Sequence, residues 1–340
     1  MNTERKRGGI MATIRDVAKY AGVSTATVSR VLNKKDVVSE ETLQKVTEAV
    51  EKLSYHPNLL ARSLVQGKND TIGVLLPSFD HPYWGEMAQR LDQAAKKRGY
   101  YLLFTEYSGK EEEKRKAFEY LVTRKVGGII ACCPLEKEAQ ERLRGEIRKV
   151  EMPLLSFVWV TDSFPQVIPD DRQGGLLAAR HLLAKGCRNI VHVSGDLKMY
   201  KETNERTYAF VREIEKRGHT CIIYECPLYG TEKEEMQEVV NKIFYEQPQM
   251  DGLFLSNDIL AALSVSYALA QGIRVPEELR IIGYDDVWMS SFLYPPLTTI
   301  RQNYEKLSEQ AIEKMIRMIG GEPIEEKTVV PVELIERKTT

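Results

Sequence analysis

From Thr71 onward the chain alternates short, continuous apolar runs with amphipathic stretches, and this alternation restricts the fold more than any other feature. The runs "TIGVLLP", "YYLLF", "VGGIIAC" and "PLLSFVWV" are separated by helical patterns over 83–98 and 111–125. A second series starts near Asp171: helix 173–185, strand "NIVHVSG", helix 204–217, strand "TCIIYE", helix 232–246, strand "GLFLS", helix 259–271 and strand "LRIIGYDD". A strand that is apolar on both faces must be covered on both, and strands joined through helices run parallel. Two successive series therefore predict two similar α/β lobes. Ligands of such sheets sit beyond the carboxyl ends of the strands. The segments "PSFDHPYW", "SGDLKMY", "SNDI" and "GYDDVW" are thus expected to face a cleft between the lobes. That placement brings all three tryptophans, Trp84, Trp159 and Trp288, into or near the cleft.

The first fifty-odd residues follow a different pattern. "TIRDVAKYAG" has Ile14, Val17, Ala18 and Ala21 at helical spacing, Thr13 as an N-cap and Gly22 as a stop. A second helix begins at Ser24; Val28, Val31 and Leu32 pack on the first, and Thr25, Ala26, Ser29 and Arg30 point outward. A third runs from Ser39 as N-cap with Leu43, Val46, Val50 and Leu53 as its buried stripe. Two short helices, a tight glycine turn and a polar outer face match a helix-turn-helix, whose second helix enters the DNA major groove. The small hydroxyls suit that role, because they allow close approach and bond phosphates or bases, while an Arg reads guanine with two hydrogen bonds. An ordinary helical hairpin on a protein surface is the competing explanation. Next comes "HPNLLARSLVQGKND", in which Pro57 and Asn58 start a helix too short to be stable alone, a hinge that becomes helical only with partners.

Charge agrees with this division. Residues 1–68 hold 12 Lys and Arg against 7 Asp and Glu, net +5, and the remainder holds 36 against 42, net −6. A basic segment on an acidic body is expected if only the former touches nucleic acid. The five cysteines, Cys132, Cys133, Cys187, Cys221 and Cys226, include no CxxC pair, which argues against a disulfide framework or structural zinc and fits a reducing cytoplasm. No apolar run approaches a membrane span, and the opening "MNTERKRGGI" lacks the apolar core of a secretion signal. Residues 1–11 are expected to be a disordered extension or the product of an upstream start. An α/β enzyme is disfavoured: GxGxxG, GxxxxGK[ST] and GxSxG are missing, and the five histidines have no metal-ligand spacing. No cofactor and no metal is expected. The adjacent carboxylates Asp170/Asp171 and Asp285/Asp286 fit caps or ligand hydrogen-bonders better than a metal site.

The order of parts resembles the LacI/GalR family of bacterial transcription regulators over Ala12 to Arg337. The carriers are "TIRDVAKYAGVSTATVSRVLN", "PNLLARSL", Asn257-Asp258, "GYDD" at Gly283–Asp286 and "PPLTTIRQ" at Pro295–Gln302. The resemblance implies an all-α helix-turn-helix head (12–56), a hinge helix and linker (57–70), and an α/β two-lobed core like periplasmic binding proteins with parallel sheets (71–340). Lobe 1 would comprise about 71–168 and 303–330, and lobe 2 about 169–302 and 331–340.

Carried across residue by residue, Thr25 and Ala26 match base-reading positions, and Arg30 matches a base or phosphate contact. Ser24, Thr27 and Ser29 match phosphate or capping positions. In the hinge, Asn58 and Arg62 are DNA contacts, Ala61 permits close approach, and Leu64 matches a leucine wedged into the minor groove, where unstacking is repaid by a bent duplex that touches more protein. In the cleft, Arg206 and Asp285 match the ligand-binding pair, supported by Asn257 and Gln302. Tyr83, Trp84, Trp159 and Tyr304 either stack on a ligand or belong to the core. Asp258 is expected to cap the helix that follows it. Where the family commonly carries an Asn before its Pro, this chain has His81, a departure that bears on contacts from that loop.

The resemblance implies a cytoplasmic repressor of carbohydrate-utilisation genes, bound as a homodimer to a pseudo-palindromic double-stranded operator and controlled by a small sugar-like effector. A purine-type effector, or a protein coregulator of the catabolite-control kind, is the alternative controller. No membrane partner is expected.

Overall fold

The computed structural model describes residues 12–33, 38–55, 69–107, 111–133, 141, 145, 151–161, 163–195, 197, 204–226 and 233–340. The chain divides into two compact units, 1–68 and 69–340. The hinge residues Asn58, Ala61, Arg62 and Leu64, and residues 1–11, lie outside the described residues.

In the first unit, α1 (Ile14–Ala21) opens with a capping box: the Thr13 hydroxyl accepts from the Asp16 amide and the Asp16 carboxylate accepts from the Thr13 amide. Gly22 ends it at φ +67°, a left-handed conformation in which a Cβ would be strained. The chain re-enters a helix at once, α2 (Thr25–Asn33), with the Ser24 hydroxyl accepting from the Thr27 amide at 3.1 Å. Ser39 caps α3 (Glu40–Lys52) in the same way through the Thr42 amide. Val17, Val28, Val46 and Ala49 are fully buried where the three helices meet, with Leu43, Val50 and Leu53 packed around them. A core this small rests on few side chains, at about 1.5–3 kcal/mol for each large aliphatic fully buried.

The second unit holds two six-stranded sheets. The first is ordered β11-β5-β4-β3-β1-β2 and wholly parallel. It contains β1 (Thr71–Leu76), β2 (Tyr101–Glu106), β3 (Gly128–Ala131), β4 (Leu154–Phe157), β5 (Gln166–Pro169) and β11 (Lys327–Val330), with α4 (Pro82–Lys96) and α5 (Glu111–Thr123) between its early strands. The second is ordered β12-β10-β9-β8-β6-β7. It comprises β6 (Ile190–Ser194), β7 (Cys221–Glu225), β8 (Gly252–Leu255), β9 (Arg280–Asp285), β10 (Thr298–Gln302) and β12 (Val332–Ile335), interleaved with α6 (Asp171–Ala184), α7 (Glu205–Lys216), α8 (Lys233–Glu246) and α9 (Asp258–Ala270). Most of the apolar runs become central strands because helices cover them: α10 (Tyr304–Ile319) buries Leu307, Ala311, Ile312 and Met315 against Ile72, Ile130 and Leu155. The runs "YYLLF" and "TCIIYE" instead form the edge strands β2 and β7, which are not covered on both faces.

The chain passes between the lobes three times, at 169–171, 302–304 and 330–332. Each passage starts where a parallel strand reaches its carboxyl end, so the connections gather at one place, the cleft. The third explains the one antiparallel pair among the described residues, β10–β12, with Thr299 opposite Ile335 and Gln302 opposite Val332. β11 ends at the cleft and β12 starts there after Pro331 alone, so β12 must run away from it, against its neighbour. All five cysteines are free thiols. Among the described residues no helix is long and apolar enough to cross a membrane.

Candidate functional site

On the head, Ser24, Thr25, Ala26 and Arg30 are exposed, and Thr27 and Ser29 are half-buried. Ser24 and Thr27 are already engaged, hydroxyl to hydroxyl at 2.9 Å and as the cap of α2. Thr25, Ala26 and Arg30 therefore carry the outward face, while Val28 on the opposite side is fully buried. The amide end of α2 lies beside this face, which favours a phosphate.

In the core a cavity of about 110 Å³ that opens to solvent lies at the carboxyl ends of both sets of strands. Tyr83, Trp84, Trp159, Arg206, Asn257, Asp285 and Gln302 all line it, together with His81, Val158, Val160, Asp171, Asn204, Thr207 and Ser256. Lobe 1 supplies an aromatic and aliphatic wall, and lobe 2 supplies most of the polar groups.

The polar wall is organised around Arg206 in the first turn of α7. Its Nε and Nη2 donate to Asp171 Oδ1 at 3.1 and 2.7 Å, and its Nη1 donates to the Ser256 carbonyl at 2.7 Å. The guanidinium lies over the Tyr284 ring, and the Tyr284 hydroxyl donates to the same Asp171 oxygen at 2.7 Å. Burial pulls the Arg206 pKa down, but Asp171, Tyr284 and Asp285 outweigh it and hold it above its ordinary value. The tandem Gly174-Gly175 makes this packing possible. A Cβ on Gly175 would collide with the Arg206 carbonyl oxygen, and one on Gly174 would meet the Tyr284 hydroxyl. Of the five guanidinium N–H groups three are used, so two remain for a ligand.

Asp285 sits at the end of β9 with φ 115°, a strained conformation for a residue with a side chain. Its Oδ1 accepts from Gln302 Nε2 at 2.8 Å, and Gln302 Oε1 accepts from the Tyr83 hydroxyl at 3.1 Å. This buried chain of bonds links α4 of one lobe to β9 of the other. Burial, reinforced by Asp258, pushes the Asp285 carboxyl well above the usual range against the opposing charge of Arg206. Tyr304 does not line the cavity; its hydroxyl donates to the Asp285 carbonyl at 2.9 Å and so fixes the strained residue from behind.

Three expectations need correction. Trp288 is two-thirds exposed in a short 3₁₀ turn beside Phe292 and does not line the cleft, because the Val287 amide preceding it is tied down to Asp258. Asp286 turns away from the cleft as well, to pair with Arg301 and Arg337 at 2.6 Å each. Asp258 is not the cap of α9. Asn257 is, its Oδ1 accepting from the Leu260 amide, which leaves its amide nitrogen for a ligand. Asp258 is buried instead, accepting from Val287, Ser290 and Thr299. Asp170 caps α6, whereas Asp171 beside it anchors Arg206, a role that a helix-start motif conceals.

Comparison with known proteins agrees with both units. Residues 13–58 match the model for bacterial regulatory proteins of the lacI family, and 179–340 match a periplasmic binding protein-like domain. The chain is 32% identical to the ribose operon repressor of Halalkalibacterium halodurans, with 97% of each chain covered. It is 34% identical to the HTH-type transcriptional repressor PurR of Aliivibrio salmonicida, over 91% of this chain and 92% of that one. Among solved structures, the Lac repressor dimer bound to operator and the anti-inducer ONPF superposes with a TM-score of 0.85 at 27% identity, over 96% of this chain and 98% of that one. The chain therefore belongs to the lacI family of bacterial regulatory proteins, as a DNA-binding transcriptional repressor with an effector-binding domain and not as an enzyme.

Proposed function

We propose that the protein acts in the cytoplasm as a homodimer on a pseudo-palindromic operator of carbohydrate-utilisation genes, and that an uncharged, sugar-like effector in the interlobe cleft controls it. The observation that carries the effector class is the state of Arg206. It is the one cation among the described residues that line the cleft, and Asp171 already neutralises it while Asp285 stands close by. Among the described residues an anionic ligand such as a sugar phosphate would find no unmatched positive charge there, whereas hydroxyls can use the remaining donors and the carboxylates. The apolar wall of Tyr83, Trp84, Val158 and Trp159 suits the C–H face of a sugar ring.

Dimerisation is supported by an exposed apolar group on the second lobe, Trp288, Phe292 and Tyr294, exposed by 66, 80 and 89%. Contiguous exposed aromatics of this kind mark interaction surfaces. The effector must prefer one arrangement of the lobes, and that arrangement must differ in operator affinity. A coupling of about 1–3 kcal/mol changes that affinity roughly 5- to 150-fold.

The test is operator binding, with DNA selected from a random library, followed by titration with neutral sugars, the matching sugar phosphates and purines. Release or tightening by a neutral sugar alone supports the proposal. A response confined to a phosphorylated ligand or a purine sinks the effector class.

A further inference from the structure

Two polar atoms lining the cleft, His81 Nδ1 and Ser256 Oγ, are buried without a hydrogen-bond partner among the described residues. Buried polar atoms are nearly always paired, so each such exception calls for an explanation, and these two face one cavity. They come from different lobes. His81 ends the loop after β1 of the first sheet, and Ser256 follows β8 of the second.

Neither side chain is occupied elsewhere. His81 stands at the N-cap of α4, yet its side chain makes no capping bond, and Pro82 at the first helical position needs none. The ring rests edge-on to Tyr83, with centroids 6.5 Å apart. Burial holds the imidazole pKa down at about 4, so the ring is neutral and carries one donor and one acceptor nitrogen. Ser256 is 95% buried; its carbonyl takes the Arg206 bond and its hydroxyl takes none.

We infer that His81 and Ser256 are specificity-determining residues that hold hydroxyl groups of one bound polyol from opposite lobes. The inference rests on the uncharged effector proposed above and deepens it. A hydroxyl both donates and accepts, so it satisfies a neutral imidazole nitrogen in either tautomer and a serine hydroxyl equally well. A phosphate dianion only accepts, so it serves the imidazole in one tautomer alone. A ligand that satisfies both atoms bridges the two lobes, and the pair thereby ties ligand choice to the arrangement of the lobes.

The experiment uses the full chain and two variants, Ser256→Ala and His81→Phe, with D-ribose, D-xylulose, cellobiose and adenine as probes, read by calorimetry and thermal unfolding. The parent is expected to bind a sugar saturably. Each variant should bind that sugar about tenfold more weakly or worse, and its melting temperature without ligand should stay within about 2 °C of the parent because no internal bond is lost. His81→Asn, which keeps a donor and an acceptor in less space, should retain part of the affinity and guards against a packing defect in the phenylalanine variant. Unchanged sugar affinity in both Ser256→Ala and His81→Phe overturns the inference and spares the effector class. A marked fall in ligand-free melting temperature for Ser256→Ala and His81→Asn also overturns it, by showing the atoms to be structural. Silence from all three sugars, or binding of adenine alone, overturns the effector class and this inference with it.

Discussion

The guanidinium carbon of Arg206 lies 3.2 Å from the centre of the Tyr284 ring, and both side chains converge on Oδ1 of Asp171. One carboxylate oxygen thus fixes the plane of the arginine and the rotation of the tyrosine together. The arginine becomes a directional donor whose charge is already matched, not a general anion receptor. Preorganisation of this kind lowers the ordering cost of binding.

Asp171→Ala should be costly in both stability and binding. Breaking a buried ion pair leaves an uncompensated charge, worth about 3–5 kcal/mol. The low end of that range is expected because the side chains of Arg206 and Asp171 keep 16 and 26% of their exposure. Asp171→Asn keeps an acceptor but frees the positive charge, and should give the core a phosphate-dependent rise in melting temperature that the parent lacks. Identical phosphate responses in the two proteins would show that Asp171 does not set the charge preference.

Gly175→Ala tests how Arg206 is placed without touching its side chain. A Cβ there runs into the Arg206 carbonyl and crowds the Phe210 amide at 3.0 Å, so α6 and α7 must separate. Overpacking typically costs about 1–3 kcal/mol, and the displaced arginine should lose effector affinity beyond what destabilisation explains. Calorimetry well below the melting temperature separates the two effects. Full affinity in a destabilised variant would mean that the first turn of α7 moves independently of its packing.

The legible parts of the molecule were those written in local pattern. Apolar runs marked strands, Thr13, Ser24 and Ser39 marked helix starts, and the family motifs brought Arg206, Asn257, Asp285 and Gln302 to one cavity. What pattern did not carry was pairing across distance. Asp171 and Arg206 are 35 residues apart, and an aspartate after Asp170 at a helix start looks like a cap. The strand β5, four residues between two lobes, has too little length for its period to register. Trp288 misled because a residue three positions beyond a strand end turns as its local bonds direct, here through Asp258.

A pH response should originate at His192, wholly buried with Nδ1 bonded to the Phe254 carbonyl and Nε2 to the Thr207 hydroxyl, each at 3.0 Å. Burial lowers its pKa from 6.5 to about 4, against the raising effect of the Phe254 carbonyl. Between those values the unfolded chain binds a proton that the folded core refuses, so this group's stabilisation, full above 6.5, is lost as pH falls towards 4. Asp258 works in the opposite sense: its carboxyl is pushed up to about 7 by burial, so the folded core takes up that proton first and gains stability as pH falls from 7 towards 3.8. The two are separated by difference. His192→Gln should melt below the parent at pH 7.5, and the gap should narrow steadily to pH 4.5. Parallel melting curves across that range would remove His192 as the source.

Along α2 a single helix turn separates stability from recognition. Val28 is fully buried among Val17, Val46 and Ala49, and truncating it to alanine should lower the stability of the head by about 1.5–3 kcal/mol. Operator binding then falls only in proportion to the unfolded fraction. Arg30 lies two positions on and is exposed, with no internal partner among the described residues. Arg30→Ala should leave the head as stable as the parent while costing about 1–3 kcal/mol of operator affinity, with relaxed preference at one base position if the contact is to a base. If the contact is to phosphate, the loss should be uniform over sequences and the salt dependence shallower by about one ion. Exchanging Thr25 or Ala26 should shift the preferred bases in a library selection. Anisotropy measurements at fixed salt on the selected and scrambled duplexes distinguish these outcomes. Unchanged affinity and selection in all three variants would mean that another face of the head meets the DNA.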